Sequence, residues 1–314
     1  MKPLKPDFRL SDAEFRMFSE LIRTHCGLHF GDDSRFLLEN RLARRLHELD
    51  VPSFAAYHYR LRNQGPGDNE LSMLVDELTT NETYFFRESG QLRALIHEIF
   101  PELQMNRGSR DSTRKKSPIN VWCAGCSSGE EPYSIAIMAR EIGMRPGVDL
   151  RVYASDISTR ALRKARQGTY REASFRETDD GLRDKYFVEK DRLWQISGEI
   201  KKDVDFIHLN LMDRSKIALL GLMDVILCRN VIIYFDSETK GQVIKTFYEK
   251  LRPGGHLLLG HSESLINLST QFELRHLRND LVYRRPSSTL SPRDPWHLAA
   301  EAAIASSDRG EGGR

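Results

Sequence analysis

Residues able to do chemistry are gathered in a few short stretches of this chain. Gly125 and Gly129 bracket a loop of small residues, Ala124 to Gly129, between the apolar run Ile119 to Cys123 and Glu130-Glu131-Pro132. A glycine-rich turn between a parallel strand and a helix leaves backbone N–H groups open and lets a ligand approach the main chain. That pattern predicts a cofactor site, for a dinucleotide, a phosphate or another ligand. Asp156 sits at the end of the next expected strand, Asp149 to Ser155, where one carboxylate can grip two ribose hydroxyls. The same residue suits a cap for the helix after Ser158. Asn81 to Arg87 reads NETYFFR, three adjacent aromatics with no helix or strand period. It is either a buried linker packing its rings, or a wall over the cofactor with Asn81, Thr83 and Arg87 hydrogen bonding to it. Asn210-Leu211, and Arg229-Asn230 leading to Tyr234, each follow a further apolar run.

The cysteines suggest a different chemistry, and it is the weaker reading. Cys123 and Cys126 have the Cys-x-x-Cys spacing of a redox pair after a strand, but Glu130 and Glu131 follow closely and oppose thiolate formation. Cys26 and Cys228 bring no paired partner, which argues against a four-cysteine zinc site. Four cysteines in 314 residues form no disulfide framework and agree with a reducing compartment.

Composition sets the outer bounds. With 39% apolar and 29% charged residues the chain reads as an ordinary globular protein of one large or two modest domains. A formal charge of +2 gives no reason to expect nucleic acid. No apolar run approaches ~18 residues, and MKPLKPDFRL lacks a signal-peptide core, so a cytoplasmic protein without membrane insertion is expected.

The elements that must position these residues follow from periodicity. Residues 1–80 read as a helical unit in which nothing looks catalytic. Ser11 and Glu14 form a capping box, Phe15, Phe18, Ile22 and Cys26 follow at helical spacing, and Gly27 ends the helix. A second helix from near Asp33 or Ser34 carries Leu38, Leu42, Leu46 and Leu49, with Arg41, Arg44 and Arg45 placed off that stripe and Pro52 as its stop. Those arginines, with Arg35, read as a solvated face or as a basic docking face for a protein partner. Two shorter helices follow, Phe54 to Arg62 and one carrying Leu71, Leu74, Val75 and Leu78. Residues 81–118 form a linker, with a helix from about Gly90 to Phe100 and a basic, mobile loop from Met105 to Pro118.

From residue 119 to 286, strands alternate with helices, which predicts a parallel sheet with ligands at the carboxyl ends of its strands. Gly125, Asp156, Asn210, Asn230 and Tyr234 then face one crevice. The helix after the glycine loop ends at Gly143, and the next runs from Thr159 to Gln167. An insert at about 169–202 holds a β-hairpin around Glu189-Lys190-Asp191. Core strands are expected at Val204 to Leu209, Met223 to Cys228 and His256 to Gly260, the last entered by a Pro253-Gly254-Gly255 turn. Asp236 or Ser237 caps the helix before that turn. Phe272 to Leu277 and Leu281 to Arg285 make a terminal hairpin, and residues 287–314 read as a disordered tail with one helical possibility at WHLAAEAAIA.

NETYFFR, WCAGCSSGEEPYS, LCRNVIIYF and LRPGGHLLLGHSES, in this order, resemble the CheR family of chemotaxis receptor methyltransferases, over about residues 8 to 286. The resemblance implies a Rossmann-like α/β sheet of S-adenosylmethionine-dependent methyltransferases with a terminal antiparallel hairpin, a small all-α N-terminal domain and a β-insert. It implies S-adenosyl-L-methionine as cofactor, S-adenosyl-L-homocysteine as product, and glutamate side chains on the cytoplasmic domain of methyl-accepting chemotaxis receptors as substrate. By match of motif, Asn81, Thr83, Arg87 and Glu131 contact the cofactor, Glu130 being the neighbour that could take the place of Glu131. Asp156 holds the ribose, Asn210 and Leu211 flank the adenine, and Arg229 and Asn230 close the pocket. Arg87 and Tyr234 are the residues implied to act on the substrate glutamate. The arginine-bearing second helix resembles the family's receptor-docking face, and in some members the β-insert binds a receptor's C-terminal pentapeptide.

Methyl transfer from a sulfonium to a carboxylate is an in-line displacement. A glutamate, with a pKa near ~4.3, is already ionised at neutral pH, so alignment and a water-poor pocket matter more than a base. Arg87 offers a planar fork and Tyr234 a hydroxyl donor. Two rivals stand beside this reading. An NAD-dependent dehydrogenase would want Gly-x-Gly-x-x-Gly where this loop has only Gly125 and Gly129. A non-catalytic scaffold docking on receptors or pilus-signalling proteins would not need the full set of pocket residues.

Overall fold

The computed structural model describes residues 8–65, 68–108, 117–278 and 280–287. The N-terminal helices are α1 (Asp12–Cys26), α2 (Arg35–Leu49), α3 (Phe54–Arg62) and α4 (Glu70–Leu78). The Ser11 capping box forms as expected, and Gly27 closes α1 in the left-handed conformation, φ 80°. Phe18, Ile22, Leu38, Leu42, Leu46, Tyr57 and Leu74 are buried together as the core of this unit.

Arg45 departs from its expected place. It is 6% exposed, donates to both carboxylate oxygens of Glu70 at 3.1 and 2.6 Å, and Tyr57 donates to the same carboxylate at 2.6 Å. Residue 45 lies seven positions after Leu38, two full turns, so it sits on the apolar stripe rather than off it. Its neighbours are also engaged within the chain: Arg44 pairs with Glu77, Arg41 donates to the Glu77 carbonyl, and Arg35 pairs with Asp12.

The linker helix is longer than expected. It runs as α5 (Ser89–Ala94), a single π-turn (Leu95–Ile99) and α6 (Phe100–Gly108). Met105 is therefore helical rather than part of a loop, and 109–116 lie outside the described residues, as does the tail helix expected at 296–305.

The remaining elements are β1 (Ile119–Ala124), α7 (Glu130–Glu141), β2 (Leu150–Asp156), α8 (Thr159–Gln167), β3 (Thr169–Tyr170), α9 (Asp180–Tyr186), β4 (Phe187–Lys190), β5 (Leu193–Ile196), α10 (Gly198–Lys201), β6 (Val204–His208), α11 (Arg214–Leu219), β7 (Met223–Cys228), α12 (Ser237–Lys250), β8 (Leu251–Leu259), β9 (Glu273–His276) and β10 (Leu281–Arg284). The main sheet has the order β6-β2-β1-β7-β8-β10-β9. Its first five strands are parallel, and β10 and β9 close it as an antiparallel pair. Successive residues of β1 point to opposite faces, Val121 and Cys123 into one core and Trp122 and Ala124 into the other. Every residue of β7 is buried, as a strand covered on both faces requires.

Two local expectations change. The Pro253-Gly254-Gly255 segment does not precede β8 but lies inside it, with a register irregularity against β7 between Met223 and Val225. The insert holds more than a hairpin: β3 adds to β5 and β4 as a three-stranded sheet, and its turn places Asp191 and Arg192 at φ 53° and 61°. Among the described residues no helix is long and apolar enough to cross a membrane.

Candidate active site at the carboxyl edge of the sheet

The chain order reverses at β1: β2 and β6 lie on one side, β7 and β8 on the other. Loops leaving the adjacent β1 and β7 therefore part company, and a crevice opens between them. A cavity of about 230 Å³ occupies that position. Asn81, Thr83, Arg87, Glu131, Asp156, Asn210, Leu211, Arg229, Asn230 and Tyr234 all line it. Gly125 shows why the turn needs glycine. Its φ is 89°, and a Cβ there would sit 2.4 Å from Val231 of the loop after β7.

Asp156 is 8% exposed. Its Oδ2 accepts the Ser127 amide at 2.7 Å and its Oδ1 the Ser158 amide at 2.8 Å. Burial raises its pKa, and those two amides oppose the rise. The helix cap itself is Ser158, whose hydroxyl accepts from Ala161 at 3.0 Å. Asp156 thus ties the glycine loop to the end of β2 while facing the cavity.

Glu130 and Glu131 separate cleanly. Glu130 is 3% exposed, is bonded by the hydroxyls of Ser128 and Ser174 at 2.8 and 3.3 Å, and does not line the cavity. Glu131 does, and it accepts from Arg229 at 3.0 Å. Arg229 also donates to the Arg87 carbonyl at 2.6 Å and to Glu88 at 3.0 Å. Burial works against its charge, but Glu131 and Glu88 outweigh that and its pKa is raised. Arg229 therefore joins the start of α7 to the end of the NETYFFR segment.

The NETYFFR segment both packs aromatic rings and borders the cavity. Phe85 and Phe86 are buried, and the Phe85 ring lies 4.8–5.1 Å from Tyr170, Phe175 and Phe187 of the insert. Asn81, Glu82, Thr83 and Arg87 line the cavity, while the Tyr84 hydroxyl donates to Glu177 of the insert at 3.0 Å. Asn81 donates to Thr79 at 3.3 Å, and its carbonyl accepts the Ser127 hydroxyl at 3.2 Å. The Arg87 guanidinium donates to the Glu82 carbonyl at 3.3 Å and stands 5.6 Å from the Tyr84 ring.

Asn210 lines the cavity and is also fixed by bonds within the chain. Its amide donates to the His25 carbonyl at 2.6 Å and its oxygen accepts the Met212 amide at 2.9 Å. It shapes the loop and ties it to α1, while Leu211, 8% exposed, contributes apolar wall.

The helical unit, in which nothing looks catalytic by sequence, also supplies wall to the cavity. Leu28, His29, Phe30, Ser34, Leu37 and Thr79 all line the cavity. The His29 amide donates to the Tyr234 carbonyl at 2.9 Å, and Leu28 bridges Phe235. No period or motif signals these residues, because their contacts arise only when the two units dock.

Glu263, within the HSES stretch, carries no sequence signal of its reach across to the loop after β7. Its carboxylate accepts backbone amides of the loop that carries Asn230 and Tyr234. Cys123 and Cys126 are free and buried, and burial pushes both thiols well up. That is the reverse of a reactive pair.

Two family models match the chain. Residues 13–79 match the all-alpha domain of CheR methyltransferases, and residues 81–280 match the CheR methyltransferase SAM binding domain. Chemotaxis protein methyltransferase 2 of Vibrio cholerae is 37% identical over 279 residues, covering 88% of this chain and 94% of that one. Chemotaxis protein methyltransferase of Escherichia coli is 38% identical over 272 residues, covering 85% and 89%. Among solved structures, magnesium protoporphyrin IX methyltransferase from Synechocystis PCC 6803 with bound SAM aligns with TM-score 0.35 and 15% identity, over 72% of this chain and 88% of that one.

Proposed function

The chain belongs to the CheR methyltransferase family, and we propose that it methylates glutamate side-chain carboxylates on the cytoplasmic domain of methyl-accepting chemotaxis receptors. It takes S-adenosylmethionine as cofactor and acts in chemotaxis as a methyltransferase. When bound, S-adenosylmethionine supplies the methyl group in electrophilic form.

The residues present suit that cofactor. Its ribose diol and ammonium each call for a carboxylate, and Asp156 and Glu131 both face the cavity. Its own carboxylate calls for a donor, and Nε of Arg229 is buried with no hydrogen-bond partner among the described residues. Gly125 leaves the main chain open where a side chain would fill the turn. We assign Asp156 to the ribose and Glu131 to the amino-acid end, with Asn81, Thr83 and Arg229 around it. Leu211 flanks the adenine, and Asn210 and Asn230 act by shaping the loops that enclose it.

Arg87 and Tyr234 are assigned to the acceptor. The glutamate carboxylate is already an anion at neutral pH, so no proton needs to be removed before it attacks. Arg87 pairs with that anion and restricts its rotation, and the Tyr234 hydroxyl donates a hydrogen bond that sets its angle of approach. Tyr234 is 38% exposed, so an incoming side chain reaches it from solvent. Excluding water then keeps the carboxylate reactive.

The receptor is proposed to approach over α2 and the insert, in the cytoplasm. Ser34 and Leu37 of α2's entry and first turn line the cavity, which puts this helix beside its mouth. Arg41 and Arg44 remain candidates for contact there; Arg45 does not, because it is buried against Glu70.

What supports this reading above all is the convergence of Arg87, Glu131, Asp156, Arg229 and Tyr234, from four separate segments of the chain, on one cavity. Peptide mass mapping of a receptor cytoplasmic fragment incubated with the protein and S-adenosylmethionine tests it. Methyl additions at glutamates are expected, and their absence contradicts the proposal.

A further inference from the structure

Glu263 makes no contact with the cavity, yet its carboxylate is the common acceptor for the loop that does. Oε2 accepts the amides of Asn230 and Gly260, both at 2.8 Å. Oε1 accepts those of Val231 at 2.9 Å and Ile233 at 3.3 Å. An ionised carboxylate is acceptor-only, with about four lone-pair sites, so its capacity matches these donors. The loop needs such an anchor. Asn230 is held at φ 59°, a left-handed conformation uncommon outside glycine and tolerated best by asparagine. A Cβ at Gly260 would come within 2.9 Å of the Asn230 side chain and 3.0 Å of the Glu263 carboxylate, so the three groups are packed without slack.

The loop has a second anchor at its far end, where the Tyr234 carbonyl accepts the His29 amide at 2.9 Å. Tyr234 is thereby suspended between the helical unit on one side and Glu263 on the other. We propose that Glu263 is a positioning residue for methyl transfer, holding the Asn230–Tyr234 loop so that the Tyr234 hydroxyl meets the acceptor carboxylate. The proposal rests on the assignment of Tyr234 to the acceptor side. It makes Glu263 act more on turnover than on cofactor affinity: Asn230 of the held loop helps to enclose the cofactor, but the cofactor's carboxylate partners, Glu131 and Asp156, are held by Arg229 and by Ser127 and Ser158 instead.

The test is Glu263→Gln in the full chain. Glutamine keeps the shape but offers one acceptor oxygen and turns an NH2 group toward amides that can only donate. The kcat for a receptor cytoplasmic fragment is expected to fall at least tenfold, with the Kd for S-adenosylhomocysteine changed less than threefold. Amide exchange at Asn230, Val231 and Ile233 is expected to speed up. Added to Tyr234→Phe, Glu263→Gln is expected to cause little further loss, since both act through one hydroxyl; a full multiplicative loss would overturn the proposal. So would unchanged kcat with unchanged exchange, or a cofactor affinity that falls as far as kcat. Wild-type kcat in Tyr234→Phe alone would instead sink the Tyr234 assignment, and the exchange and kcat of Glu263→Gln would still report whether Glu263 positions the loop. Should Glu263→Gln not fold, Glu263→Asp keeps the acceptor chemistry with a shorter reach, and the same split between kcat and Kd is expected.

Discussion

The carboxylate of Asp156 accepts the amide of Ser127 at 2.7 Å, so the end of β2 is fastened to the glycine loop that follows β1. One side chain both shapes the loop and faces the cofactor cavity. Asp156→Ala is therefore expected to weaken S-adenosylhomocysteine binding at least ~30-fold, about 2 kcal/mol, by removing a charged acceptor and freeing the loop. Titration calorimetry measures this, and unchanged affinity refutes the ribose assignment.

Gly125 gives a sterically simpler prediction. At φ 89° an alanine is strained, and its Cβ would meet Val231 at 2.4 Å. Gly125→Ala is expected to lose about 1–3 kcal/mol of stability and roughly tenfold or more in cofactor affinity. Wild-type melting and wild-type affinity together would show that the turn tolerates a side chain and is looser than its geometry implies.

Buried charge in the helical unit is the subject of a third. Arg45 and Glu70, both buried, are bonded at 2.6 and 3.1 Å, with Tyr57 as a further donor to Glu70. Arg45→Met alone strands the Glu70 carboxylate and is expected to cost about 3–5 kcal/mol in urea unfolding. Replacing both Arg45 and Glu70 with methionine is expected to cost less than the sum of the single changes. A surface-like loss of under about 1 kcal/mol for Arg45→Met would show that this arginine is solvated after all.

His256 supplies the pH dependence. It is fully buried in β8, and neither ring nitrogen has a hydrogen-bond partner among the described residues. Burial, then Arg284 and Arg275, lowers its pKa to about 4. The folded state thus disfavours the charged form, while the unfolded chain takes up its proton near pH ~6.5. Stability from this group is complete above the unfolded pKa and is lost as pH falls from ~6.5 toward ~4, by about 3 kcal/mol in all. His256→Leu is expected to remove that part of the acid slope; the same slope in both proteins contradicts the account.

Much of the site is legible in the sequence because strand ends announce themselves. Apolar runs ending at Cys123, Ser155, Leu209 and Cys228 point to one sheet edge, and the polar residues just beyond them line one cavity. The NETYFFR segment is ambiguous for a good reason, since Phe85 packs into the insert while Arg87 and Thr83 face the cavity. The burial of Arg45 is legible in its seven-residue spacing from Leu38, and the charge of its side chain obscures that. The attachment of Asn210 to the His25 carbonyl and the reach of Glu263 across to Asn230 join residues far apart in the chain. Such contacts carry no period, so only the folded arrangement reveals them.

The most direct test of the central claim is transfer of labelled methyl from S-adenosylmethionine to a receptor cytoplasmic fragment, followed by treatment with base. A glutamate methyl ester releases its label as volatile methanol. The account predicts base-labile label with the wild-type chain and at least ~100-fold less with Arg87→Ala, whose fold and thermal stability remain near wild type. Base-stable label, or wild-type transfer by Arg87→Ala, would contradict it.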